Sequence, residues 1–196
     1  MVHVAPMNIS QSWLQLVPHS EMSEFSSLSS IELIPVLVSH VYPSYAVVVK
    51  FKTTGLCLAY SGDCRPSADF QQCMIDHQVH VIIHEATFHE EKQEDAVKKR
   101  HSTSQEAISI TSQVFDSYSA SDDRNLLILT HFSQRYPIMP PSFINNNKFS
   151  IIPANDQLMI HLSNCNYQEL SESISQMMTE YLKTREVNEK VLDDEN

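Results

Sequence analysis

The sequence lacks the features that would indicate a membrane, a secretory or a disulfide-stabilised protein. No window approaches the roughly eighteen apolar residues of a membrane span, and the first six residues show neither the basic region nor the apolar core of a secretory signal. Cys57, Cys64, Cys73 and Cys165 form no CxxC pair. These cysteines are typical of reduced thiols in an intracellular protein.

Positive charge is also scarce, with 13 Lys and Arg against 24 Asp and Glu, for a formal net charge of −11. This balance argues against a broad surface that grips phosphates, because such a surface needs Lys and Arg to displace counterions. Part of the acidity lies in residues 184–196, which we predict to be a disordered tail.

What is present is a chain of 196 residues, long enough for one sizeable core. Residues 1–30 are poorly defined, and residues 31–183 carry apolar segments that alternate between strand and helix patterns, which predicts an α/β layered domain. The predicted strands are residues 31–40, 45–51, 56–61, 79–83, 126–129 and 157–162, and the clearest predicted helices are residues 67–77, 102–118 and 167–183.

Three of the apolar strands run directly into polar side chains. Asp63 follows the strand that ends near Tyr60, Glu85 follows Val79–Ile83, and His131 follows the strand that ends at Thr130. Buried strands that end in such residues predict one shared site at the carboxyl edge of a sheet. The alternative is that Asp63 is only a turn residue or a helix N-cap.

His40, Asp63 and His131 are candidate metal ligands. Imidazole nitrogen and carboxylate oxygen are the ligands of a catalytic Zn²⁺, and an Asp can bridge two ions. The alternative reading treats the histidines as separate structural residues.

Glu85 and His101 are candidate acid/base residues, because a carboxylate that accepts a hydrogen bond from an imidazole fixes its tautomer and raises its pKa. Alternatively, Glu85 is a solvated loop residue and His101 lies at a helix start. Arg135, in His131-Phe132-Ser133-Gln134-Arg135-Tyr136, suits a phosphate contact, although ordinary surface residues would give the same pattern.

Together, four short motifs resemble the ribonuclease Z family of the metallo-β-lactamase superfamily. They are Ser61-Gly62-Asp63-Cys64-Arg65-Pro66, His84-Glu85-Ala86-Thr87-Phe88, His101-Ser102-Thr103 and the segment that begins at His131, preceded by His40-Val41-Tyr42-Pro43-Ser44-Tyr45-Ala46. The resemblance covers about residues 2–162 and is strongest to the carboxyl-terminal half of the family's long form. It implies the carboxyl-terminal half of an αββα sandwich.

The resemblance also implies an activity and a set of roles. The family removes 3′ trailers from precursor tRNA with two zinc ions, for which His40 and His131 would be ligands and Asp63 the bridge. Glu85 and His101 would orient and supply the proton for the leaving oxygen, and Arg135 would contact acceptor-stem phosphate. An intracellular location follows, in the nucleus or mitochondrion, with the cytoplasm as a further option.

The sequence departs from the family in one important respect. No His-x-His-x-Asp-His occurs in the 196 residues, although in the family that block supplies ligands to both zinc ions. We therefore expect the chain to begin inside the catalytic domain and to need a missing amino-terminal half or a dimer partner. The alternatives are a non-catalytic subunit that docks on an active paralogue, and another metallo-β-lactamase-type hydrolase.

Overall fold

The computed structural model describes residues 30–118, 124–133, 148–154, 158–162, 167, 169, 171–174 and 176. The strands are β1 (Ile31–Val38), β2 (Ser44–Phe51), β3 (Cys57–Tyr60), β4 (Val81–Glu85), β5 (Leu126–Thr130) and β6 (Ser150–Pro153). The helices are α1 (Ala68–Asp76), α2 (Gln93–Lys99) and α3 (Ser104–Ser117), with a short 3₁₀ turn at Glu90–Lys92. None of the helices described is long and apolar enough to cross a membrane.

The six strands form one sheet in the order of the sequence. β1, β2 and β3 pair antiparallel as a meander, whereas β3, β4, β5 and β6 pair parallel. Because β2 runs against both of its neighbours, β1 points in the same direction as β3, β4 and β5. The carboxyl ends of all four strands therefore meet at one edge of the sheet. The predicted α/β class is confirmed.

One side of the sheet is covered by helices. The strand register places Ile34 opposite Val48 and Val48 opposite Ala59, and all three are buried. Helix α1 packs against β1 and β2, and α3 packs against β4 and β5. Phe70 of α1 is part of the buried core with these strand residues. Burial of such apolar side chains supplies most of the driving force for the layer.

The opposite side of the sheet, which we call the open face, is only partly covered. Register places Leu37 opposite Tyr45, and Val47 opposite Tyr60, on this side. Leu37, Tyr45 and Tyr60 are 50%, 56% and 44% exposed, respectively. An apolar row of this kind is typical of a surface that contacts another layer or partner.

Local capping explains where the two longer helices begin. Ser67 accepts a hydrogen bond from the backbone N–H of Phe70 and is the N-cap of α1. Thr103 is the N-cap of α3, and Glu106 completes a capping box with it. The capping box fixes the backbone that immediately follows His101.

The strand predicted at residues 157–162 is wrong for its described part, because Leu158–Leu162 form no strand. The position beside β5 is taken by β6, which pairs with it in parallel register. Leu158 and Met159 are 36% and 77% exposed, which is consistent with their position outside the sheet. The amino-terminal segment up to residue 29, Arg135, Cys165 and the acidic tail at 184–196 lie outside the described residues.

Candidate active site

Four polar side chains gather at the carboxyl edge where β1, β3, β4 and β5 end. His40 follows β1, Asp63 follows β3, Glu85 ends β4 and His131 follows β5. The turn that carries Asp63 needs Gly62, whose φ of +57° lies in the left-handed region. A Cβ at this position would also lie 3.1 Å from the carbonyl oxygen of Tyr45. Asp63 is not a helix N-cap, since Ser67 has that role.

The three predicted metal ligands lie together. Asp63 Oδ2 is 4.0 Å from His40 Nε2 and 3.6 Å from His131 Nε2. His40 contacts the carbonyl oxygen of Arg100 through Nδ1 at 3.0 Å, so this nitrogen donates and Nε2 keeps its lone pair. One carboxylate therefore faces the free nitrogens of two histidines that are separated by many positions in sequence.

Glu85 is the buried anchor of the site, with 1% of its surface exposed. Its Oε1 accepts from the backbone N–H of Cys64 at 2.6 Å and from His101 Nδ1 at 3.0 Å. Its Oε2 accepts from the hydroxyl of Thr87 at 2.5 Å and the backbone N–H of Ser102 at 3.1 Å. Four donors around one carboxyl group satisfy an ionised carboxylate. The alternative that Glu85 is a solvated loop residue is excluded.

Thr87 links Glu85 to His131, and sequence reasoning did not single it out. Its hydroxyl donates to Glu85 Oε2, so its oxygen can only accept from His131 Nδ1, 2.7 Å away. The network thus assigns the proton of His131 to Nδ1 and leaves Nε2 free to face Asp63. Thr87 lies two residues after Glu85 in the same motif, but its contact with His131 joins residues 44 positions apart and leaves no signal in the sequence.

His101 lies between the other two histidines. Its ring is 4.6 Å from that of His40 and 5.4 Å from that of His131, measured between ring centroids. Its Nδ1 donates to Glu85, which leaves Nε2 unprotonated in the neutral ring. Glu85 and His101 therefore form the hydrogen-bonded pair that the sequence predicted.

Arg65 fixes the backbone beneath His101. Its guanidinium donates to the carbonyl oxygen of His101 at 2.6 Å and makes a bidentate ion pair with Glu106 at 2.7 and 2.5 Å. Burial acts to raise the pKa of Glu106, but hydrogen bonds from Arg65, Gln93 and the Thr103 backbone outweigh it, and the pKa is lowered. Sequence reasoning missed Arg65 because its partners lie far away along the chain.

Two further buried side chains, Cys64 and His84, lie near the site. Burial raises the pKa of the Cys64 thiol to about 12, so it is not a thiolate ligand at neutral pH. His84 lies on the helix-covered side of the sheet, donates from Nδ1 to the carbonyl oxygen of Glu85, and has a buried Nε2 without a hydrogen-bond partner. Burial lowers the pKa of His84, which favours the neutral ring.

The donor set fits a metal ion. Ligand atoms of His40, Asp63 and His101 lie within 4.8 Å of one another, and so do those of Glu85, His101 and His131. Imidazoles whose second nitrogen is held by an oxygen are the usual form of metal-binding histidines. These histidines therefore lie together in the fold and are not separate from one another.

Comparisons with known proteins indicate the class of the fold. No protein-family model matches the chain. The chain is 36% identical to ribonuclease Z 1 of Schizosaccharomyces pombe over 136 residues, which are 69% of this chain and 15% of that protein. It is 32% identical to the mitochondrial ribonuclease Z 2 of the same yeast over 138 residues, which are 69% of this chain and 18% of the relative.

A solved structure of a long-form RNase Z from yeast superposes with a TM-score of 0.57 at 26% identity, covering 81% of this chain and 21% of the other. The fold thus defined is the metallo-β-lactamase fold. Within that class the chain is a homologue of ribonuclease Z, and the resemblance seen in the sequence is confirmed. It spans less than a fifth of the length of the two curated relatives, at 15% and 18%.

Proposed function

We propose that this chain provides the carboxyl-terminal part of a zinc-dependent endonuclease that removes 3′ trailers from precursor tRNA. The observation that carries the proposal is the convergence of His40, Asp63 and His131 in front of the buried Glu85–His101 pair. The names of the relatives, ribonuclease Z and tRNase Z, supply the substrate class.

His40, Asp63 and His131 would hold zinc, with Asp63 between the two histidines. When bound, zinc supplies an activated water and stabilises charge on phosphate oxygens. His101 would hold a proton at Nε2 for the leaving 3′ oxygen, and Glu85 would stabilise the imidazolium through its bond to Nδ1. Arg135 would contact acceptor-stem phosphate.

The domain boundaries follow from the same assignment. Residues 31–183 would be part of a metallo-β-lactamase domain whose remaining ligands come from a separate His-x-His-x-Asp-His block, a pattern absent from the 196 residues. That block would lie on an amino-terminal half or on a dimer partner. Mitochondrial relatives favour the mitochondrion as one location of the protein, with the nucleus and cytoplasm as others.

The test is cleavage of a precursor tRNA labelled in its 3′ trailer. We expect no cleavage by the purified chain with Zn²⁺, because three ligands shared by two ions leave each ion under-coordinated. We expect cleavage by a chimera in which this chain replaces the matched 136 residues of Schizosaccharomyces pombe ribonuclease Z 1. Cleavage after the discriminator nucleotide would be read from the product length.

Variants of the chimera assign the roles. Asp63→Ala and His131→Ala are expected to remove activity, whereas His101→Asn is expected to reduce it by about 10² to 10⁴ through loss of the proton donor. His161→Gln, on an exposed residue far from the site in sequence, is the matched control. Wild-type turnover in the Asp63 variant would contradict the site assignment.

A second candidate is a non-catalytic subunit of an active paralogue, and the open face favours it. Leu37, Tyr45 and Tyr60 expose apolar surface that a partner sheet could cover. This candidate predicts that the chimera folds and stays inactive, while the chain purifies with a stoichiometric partner. A third option, another hydrolase of the same fold, predicts turnover of a lactone or thioester instead of tRNA.

A further inference from the structure

We propose that Arg100 is a positioning residue that holds His40 in place at the end of β1. His40 follows β1, and Arg100 ends α2, 60 positions later in the sequence. The proposal rests on the proposed function only in taking His40 as a metal ligand. What it concerns is the position of the His40 ring in the metal-free chain.

Arg100 contacts His40 through both its side chain and its backbone. The guanidinium donates to the carbonyl oxygen of His40 at 2.7 Å. The carbonyl oxygen of Arg100 accepts from Nδ1 of the His40 ring at 3.0 Å. One contact fixes the backbone of His40 and the other fixes its ring, so the Nε2 that faces Asp63 has a defined direction.

Arg100 makes these contacts from a backbone conformation that favours glycine. Its φ is +60° and its ψ is +42°, in the left-handed region, where a residue with a Cβ is strained. Helices that end in this way usually have glycine at this position. A long charged side chain that occupies it beside a candidate site therefore indicates a function for the side chain.

Helix α1 ends with the same geometry but without such a contact. Gln78 has a φ of +48°. At both helix ends the left-handed residue donates its N–H to the carbonyl three residues back, and the next residue donates to the carbonyl five residues back. Gln78 is exposed, and among the residues that the structure describes its side chain makes no hydrogen bond. The strain is thus common to both helix ends, whereas the contact with a site residue belongs to Arg100.

The alternative is that Arg100 only complements the negative end of the α2 dipole. Lys98 and Lys99 already supply positive charge in the last turn of this helix. A dipole role needs a cation but no contact with His40. It therefore predicts that the His40 ring is unaffected when the guanidinium is lost.

The experiment is ¹³C relaxation NMR of the His40 ring in the metal-free 196-residue chain. Arg100→Gln keeps the left-handed strain and removes the guanidinium, Arg100→Gly removes both, and Gln78→Gly relieves the same strain at the matched helix end. We expect the order parameter of the ring to fall from about 0.85 to below about 0.6 in both Arg100 variants and to stay unchanged in the Gln78 variant. An unchanged ring in Arg100→Gln would overturn the proposal, as would equal loosening in Gln78→Gly.

Thermal unfolding of the same proteins separates positioning from a general structural role. Gln78→Gly should raise the Tm by about 2 to 4 °C through relief of strain. Arg100→Gly should leave the Tm within about 4 °C of the wild-type value, because the same relief offsets the loss of an exposed hydrogen bond. A larger fall would show that Arg100 stabilises the whole fold and would overturn the positioning role.

Zinc dependence connects the ring to the proposed function. In the chimera described above, Arg100→Gly should raise the zinc concentration for half-maximal cleavage by at least about tenfold. Removal of a positive charge would by itself favour binding of a cation, so this loss has no electrostatic explanation. An unchanged zinc dependence in an active chimera would contradict the role of Arg100. An inactive wild-type chimera would instead count against the proposed function, while the ring measurement still decides the role of Arg100.

Discussion

The candidate site has a buried half and an exposed half, and they differ in how far this chain satisfies them. In the buried half, Glu85 is 1% exposed and each of its oxygens accepts two hydrogen bonds from the chain itself. In the exposed half, Asp63 is 39% exposed and faces the free nitrogens of two histidines across 3.6 and 4.0 Å. The hydrogen-bonding groups of the buried half are satisfied within the chain. The ligand atoms of the exposed half are instead available to a metal ion.

The largest expected effect comes from breaking the buried half. Glu85→Gln should lower the free energy of unfolding by about 3 kcal/mol, because an amide group cannot accept from all four donors and leaves some of them buried without a partner. Asp63→Asn, the equivalent change in the exposed half, should alter it by less than about 0.5 kcal/mol. Urea unfolding followed by circular dichroism measures both. Equal losses in the two variants would show that the two halves do not differ in this way.

A smaller effect is expected for the ion pair that supports His101. Arg65 and Glu106 have side chains that are 18% and 21% exposed, so a double-mutant cycle of Arg65→Gln and Glu106→Gln should give a coupling of about 1 kcal/mol. Gln at position 106 keeps the capping function, which isolates the ion pair. The control pair is Lys148 and Asp116, 58% and 50% exposed, for which coupling near zero is expected. A larger coupling in the exposed pair would argue against burial as the cause.

The last expected effect is a pH dependence from His84, which leaves the stability at neutral pH unchanged. Burial lowers its pKa in the folded state below the usual 6.5, so the unfolded chain takes up the proton first. The stability that His84 contributes is therefore complete above pH 6.5 and is lost as pH falls below it, by at most about 1.4 kcal/mol per pH unit. His84→Gln should flatten the curve of unfolding free energy between pH 6.5 and 5.5. Identical slopes in the two proteins would contradict the prediction.

Sequence patterns predicted much of the fold where the signal is local. The strands predicted at residues 31–40 and 45–51 and the helices predicted at residues 67–77 and 102–118 depend on patterns among residues that are close in sequence. The position of β6 was missed, because its four residues begin with Ser150 and end with Pro153, and only pairing with β5 identifies them as a strand. Short parallel strands depend on such distant pairing.

In the candidate site, too, features with a local sequence signal could be predicted and features that depend on distant contacts could not. The candidate residues could be selected from the sequence because each one lies at the end of a strand or just before a helix. They are His40, Asp63, Glu85, His101 and His131. The roles of Thr87 and Arg65 could not be predicted, since their contacts to His131 and Glu106 join residues 44 and 41 positions apart. A hydroxyl or guanidinium has no periodic signature that would reveal such a partner.

The hydrogen bonds from His131 through Thr87 to Glu85 all run in one direction, since His131 donates to Thr87 and Thr87 donates to Glu85. Thr87 has a single proton to give, and because Glu85 takes it, the Thr87 oxygen accepts from Nδ1 of His131 and the ring turns its lone pair outward. The orientation of an exposed ligand is thus decided by a carboxyl group that solvent does not reach.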